Sequence, residues 1–270
     1  MDAVTILLPA FVFSLLLLAT HTYLGLHVLA RGIIFVDLAL AQIAALGASI
    51  TLLTGVDAHG FEARLYGIAS TLVAALGLTL LRRVPDKTTR EVIIGSVYVV
   101  ATALSVLVLS RSVYGMEELK ALLNGSILWV RWQEIGIVAA VFAALGVLHL
   151  VFRARFHALS FAPDQDETAQ TPSFLWEFLF FASFAVVIAI AVHVAGILVV
   201  FAYLIIPPFA ASLLTRGFAL RLVLGWGLGL TATLVALAVA YHADLPVGAT
   251  VVSLLGVLPI LVLLLRARAR

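Results

Sequence analysis

RGIIFVDLALAQIAALGAS, residues 31–49, is an apolar run with one carboxylate, Asp37, and one amide, Gln42, set inside it. Asp37 is the only acidic residue that reads as lying well within a hydrophobic stretch. A carboxylate in hydrocarbon is expensive unless it is paired or faces water, so a functional role is the first expectation. Ala41/Ala45 and Ala44/Ala48 are small residues four apart, a spacing that lets a neighbouring helix approach closely. The stretch therefore reads as a helix packed inside a bundle, not one turned toward lipid.

The rest of the chain has the same character. Of its 270 residues, 64% are hydrophobic and 11% charged, with a mean hydropathy of +1.20. A water-soluble domain of this size cannot hide so much apolar surface, so the chain reads as an all-α, polytopic membrane protein. A net charge of +2 gives no sign of a nucleic-acid partner. The absence of cysteine excludes a disulfide framework and a thiolate metal site. The opening run MDAVTILLPAFVFSLLLLAT lacks the basic start of a signal peptide and reads as a retained span.

Nine candidate spans follow, with eight or ten also possible, in a single transmembrane domain over 1–270: Val4–Leu26, Ile33–Leu53, Leu65–Leu81, Val92–Ser110, Ile135–Phe152, Phe174–His193, Gly196–Leu214, Leu220–Tyr241 and Val247–Leu265. A break is expected at Gly196 and a helix start around Pro85 and Asp86. With the N-terminus outside, twelve of the sixteen basic residues fall in cytoplasmic segments, which favours an odd number of spans. The outer segment Arg111–Glu134 predicts a short amphipathic helix, with Trp129 and Trp132 as interfacial anchors. The longest cytoplasmic segment, Arg153–Ser173, is polar and carries Asp164, Asp166 and Glu167. No phosphate-binding G-x-x-x-x-G-K-[ST] loop, G-x-S-x-G or H-E-x-x-H occurs, and no arginine ladder. Nothing marks a catalytic domain.

Five pieces, in order, carry a family resemblance: RGIIFVDLALAQIAALGAS, EVIIGSVYVVATALSVLVLS, LKALLNGSILWV, VAGILVVFAYLIIPPFAASLL and DLPVGATVVSLLGVLPILVLL. Together they resemble the permease subunits of ATP-binding-cassette importers for zinc, manganese or iron. The last two also resemble vitamin B12 and iron-siderophore importers, the wider group of type II architecture. The resemblance implies a homodimer in a bacterial plasma (inner) membrane, with its C-terminus cytoplasmic. It also implies a separate ATPase, an extracellular or periplasmic solute-binding protein, no resident cofactor, and a divalent metal ion as cargo. The family's second-span motif reads G-D-A-L-x-H. Its Asp and His positions fall here on Leu38 and Gln42, with Asp37 one residue early. This leaves two substrate classes open, a divalent ion on different ligands or a small chelate. A proton-coupled carrier working through Asp37 is the alternative class, although no inverted repeat is visible to support it.

Each candidate residue has a plainer reading beside the functional one. Asp37 and Gln42 are expected on the translocation path; otherwise Asp37 pairs with Arg31 or a backbone amide, and Gln42 makes an interhelical hydrogen bond. His193, His242 and Asp244, with Asp57 and His59, could form an outer vestibule, or be snorkelling polar groups and, for Asp244, part of a turn. Pro207 and Pro208 are expected to kink or break their span, for packing or as a pivot. The resemblance places a coupling helix in Arg153–Ser173. There Phe156, Leu159 and Phe161 would plug into the ATPase, and Arg153 and Arg155 would hold the helix end at the headgroups. The plainer reading of that segment is a solvated loop.

Overall fold

A computed structural model of the chain describes residues 3–53, 60–112, 115–125, 127–161 and 173–268. Among these described residues, eleven α-helices follow in order: α1 Ala3–Arg31, α2 Val36–Leu53, α3 Phe61–Leu80, α4 Lys87–Leu109, α5 Gly115–Asn124, α6 Trp132–Val151, α7 Arg153–Phe161, α8 Phe174–Ala195, α9 Ile197–Leu214, α10 Phe218–Ala243 and α11 Val247–Arg268. No strand occurs among the described residues. Eight of the helices are long and apolar enough to cross a membrane, and α2 is a shorter apolar one. Each of the nine expected spans is therefore an apolar helix. Asp57, His59, Asp164, Asp166 and Glu167 lie outside the described residues.

The local signals act where elementary chemistry puts them. Asp86 caps α4, accepting from the backbone N–H groups of Thr89 at 2.7 Å and Thr88 at 3.4 Å. These bonds, with one from the Thr89 side chain, hold the Asp86 carboxyl below its usual range. The amphipathic α5 and the Arg153–Phe161 helix both form. Gly196, at φ 79, is the single-residue break between α8 and α9.

The chain forms two compact units. One comprises Ala30–Leu122 and Ala143–His193. Its α2 packs on α3 and α4. Small residues set the α2–α3 approach: a Cβ on Gly67 would lie 3.1 Å from the Ala44 carbonyl oxygen, and one on Gly47 would lie 2.4 Å from Ser70 Oγ. Ala41, Ala44 and Ala45 are buried, as the spacing of small residues predicts.

The other unit comprises Met1–Leu29, Leu123–Phe142 and Val194–Arg270. Here α9, α10 and α11 pack on one another. Of the kink or break expected at Pro207–Pro208, the break does not occur: α9 runs continuously through both prolines. Each proline lacks the N–H that would bond four residues back, so the Tyr203 and Leu204 carbonyls lose their helical partners. The neighbours compensate. Gly25 of α1 comes so close that a Cβ there would lie 1.8 Å from the Leu204 oxygen, so one of its α-hydrogens points at that carbonyl. Gly225 and Gly229 of α10 lie against Pro207. Tyr203 Oη bonds Thr233 Oγ1 at 2.8 Å across α9 and α10.

Gly25→Val should therefore prevent formation of monodisperse protein, as read by size-exclusion chromatography in detergent. Gly95→Ala, where a Cβ meets nothing within 4 Å, should elute like the parent.

Candidate substrate path and coupling elements

Asp37 is the second residue of α2. Gly32, at φ 65, turns the chain after α1, and Val36 N–H bonds Ile33 O at 3.2 Å. Glu91 of α4 accepts from the Phe35 N–H at 2.9 Å, just before α2 begins. Asp37 is 1% exposed, and neither of its oxygens has a hydrogen-bond partner. The helix N-terminus supplies a partial positive charge nearby. Pairing with Arg31, the plainer expectation for Asp37, does not occur: Arg31 Nη2 donates to Glu177 Oε1 of α8.

Gln42 is also buried, at 5% exposed. It lies five residues beyond Asp37, which turns it about 140° around the helix. The two therefore do not share a face. Leu38, half-buried, is one turn before Gln42 on its own face.

The vestibule residues within the described part of the chain lie at helix ends. His193 is half-buried at the end of α8. His242 is exposed in the last turn of α10, with its ring edge-on to Tyr241 at 5.5 Å. Asp244, at φ 52, caps the end of α10, and the N–H groups of Asp244 and Leu245 both bond Ala240 O. It closes α10 as a turn residue, a left-handed position that Asp tolerates. Among the described residues, no three His, Asp or Glu side chains are close enough to hold a metal ion.

On α7, Arg153, Arg155 and His157 are exposed, while Leu159 and Phe161 are half-buried. Phe156 differs from its expected role as an outward plug: it is fully buried. Its ring stacks on His149 of α6 at 4.1 Å and meets Trp176 and Phe180 of α8 at 6.1 and 6.3 Å. His149 in turn bonds Ser183 Oγ at 2.8 Å. Ser183 donates to Phe180 O, so the imidazole Nε2–H is the donor to Ser183. Phe156 thus anchors α7 to α6 and α8.

Sequence reasoning missed Glu177. It is 5% exposed in the first turn of α8, so Asp37 is not the only buried acid within an apolar span. The signal was available as an acid one turn into FLWEFLFF. Its partner Arg31 was expected in a cytoplasmic connection. Its guanidinium is held over the Phe180 and Phe181 rings, at 4.9 and 4.8 Å.

The described residues form apolar helices around few buried polar groups, and solved structures share this fold. PsaBC from Streptococcus pneumoniae, solved in complex with a Fab, matches with a TM-score of 0.76 at 19% identity, over 95% of this chain and 90% of that one. A structure described as an inward-facing ABC transporter of metal-chelate type matches at 0.67 and 20% identity, over 93% and 84% of the two chains. The chain belongs to the ABC 3 transport family, whose model matches residues 3–266. A Haemophilus influenzae protein named "Probable iron transport system membrane protein" is 24% identical over 183 residues, 68% of this chain and 64% of that protein. The matched region spans 58–68% of the length of the curated relatives.

Phe156→Ala should lower stability by about 3–5 kcal/mol, as expected for truncating a buried aromatic. The measurement is thermal unfolding in detergent. Arg153→Glu, at an exposed position of the same helix, should leave the unfolding temperature within error.

Proposed function

We propose that this chain is the permease subunit of an ATP-driven importer for divalent transition-metal ions. Zinc, manganese and iron are the candidate cargoes. Two copies would work with a separate cytoplasmic ATPase and an extracellular or periplasmic solute-binding protein, the N-terminus outside and the C-terminus in the cytoplasm. The observation that carries this reading is Asp37, a buried carboxylate with both oxygens unpartnered, in a chain of the ABC 3 transport family. A lone carboxylate offers only oxygen donors. Those suit manganese and iron at least as well as zinc, which prefers nitrogen and sulfur. So few donors suit a passing ion, because a full cage would trap it. Burial of Asp37 means that α2 must shift before cargo reaches it. ATP hydrolysis falls to a partner, since this chain has no phosphate-cradling loop.

Transport of a metal chelate is the variant favoured by the metal-chelate description of one structural neighbour. The other reading is a proton-coupled carrier. It is favoured by the same unpaired carboxylate, which could bind and release a proton.

Proteoliposomes containing the permease, its ATPase and its binding protein should take up radiolabelled metal only with ATP. Asp37→Ala and Asp37→Asn should reduce uptake by about tenfold or more while the complex still co-purifies as two permeases with two ATPases. Gln42→His, which adds an imidazole, should shift preference toward zinc. Full uptake by Asp37→Asn removes the charge from the path, and uptake driven by a pH gradient without ATP overturns the importer reading.

A further inference from the structure

We propose that Arg31 and Glu177 are a positioning pair that carries the movement of α7 to the start of α2, where Asp37 sits. The inference rests on the importer reading above. Its basis is a continuous set of contacts. Phe156 fixes α7 against Trp176 and Phe180, which flank Glu177 in the first two turns of α8. Phe180 is the shared contact: it meets Phe156 and also lies beneath the Arg31 guanidinium. Glu177 and Phe181 hold the same guanidinium. Arg31 is the last residue of α1, six residues before Asp37. The short connection to α2 is held at its far end by Glu91 of α4, through the Phe35 N–H.

The end of α1 is thus held by α8, and the connection to α2 is held at Phe35 by α4. A displacement of α7 passes through packed aromatic rings and a buried ion pair to Arg31, and from there through the short Gly32–Phe35 connection to α2. The unsatisfied groups point the same way. Arg31 Nη1, Glu91 Oε2 and both Asp37 oxygens are buried without hydrogen-bond partners. These groups keep hydrogen-bonding capacity for a second arrangement, which a two-state transmitting element requires.

The test uses the full complex of permease, ATPase and binding protein in proteoliposomes, reading ATP hydrolysed per metal ion transported. Arg31→Gln and Glu177→Gln should each raise that ratio about tenfold while the ATPase remains bound. Arg31→Lys should fall between these variants and the parent. The reciprocal exchange, Arg31→Glu with Glu177→Arg, should recover most of the coupling. Phe180→Leu keeps the ion pair and apolar volume but removes the shared ring, and should also uncouple. Parental ratios in the single variants and in Phe180→Leu overturn this inference and leave the importer reading standing. So does lower yield or unfolding temperature with an unchanged ratio in the surviving complex, since that is a purely structural role. A parent complex with no ATP-dependent uptake overturns the importer reading and this inference with it.

Discussion

No backbone N–H or C=O can be left open in hydrocarbon, and most of this architecture follows from that constraint. Each long apolar stretch becomes a helix because the helix satisfies its own backbone. Side-chain hydroxyls obey the same rule: Ser49, Thr71, Thr79 and Ser105 fold back onto carbonyls four residues earlier in their own helices. Two irregular points lie where another segment closes over them. At the α8–α9 break, Gly125 comes so close that a Cβ there would lie 2.1 Å from the Ala195 carbonyl. At Pro207–Pro208 the glycines of α1 and α10 close in.

The two buried carboxylates meet the same constraint differently. Glu177 is neutralised by Arg31, whose guanidinium is also covered by two phenylalanine rings. Removing one partner of such a pair costs about 3–5 kcal/mol, because the other is left as a bare buried charge. Asp37 has no such partner, only the N-terminal end of its own helix. Charge at Glu177 is spent on holding helices together. At Asp37 both carboxylate oxygens stay without a hydrogen-bond partner.

Features that depend on a few adjacent residues were legible in the sequence. The Asp86 cap, the Gly196 break, the amphipathic α5 and the small-residue face of α2 all fall where local chemistry places them. Asp37 stood out because a carboxylate is conspicuous among aliphatic residues. Contacts between distant residues were not legible. Arg31 and Glu177 are 146 positions apart, and nothing local in either stretch names the other. The inward turn of Phe156 was hidden for a related reason: an aromatic on a short amphipathic helix can face a partner protein or its own core, and the residue type is the same. In helices apolar on all sides, lipid-facing and buried faces carry the same side chains, so hydrophobic periodicity cannot separate them. That α9 stays continuous was not legible either, because the proline rule describes an isolated helix, whereas the freed Leu204 carbonyl here faces Gly25.

That last contact ties two distant positions to a common history. Proline at 208 is tolerable only while position 25 has no side chain, and glycine at 25 has a use only while the Leu204 carbonyl needs covering. Filling position 25 first brings a Cβ against the Leu204 oxygen, whereas losing the proline first restores the N–H that this carbonyl lacks, so divergence at these sites should begin at 208. Within the family, residues 25 and 208 should covary: lineages that lose the proline are free to fill the glycine's place with alanine or serine, and the α1–α9 spacing should widen with it.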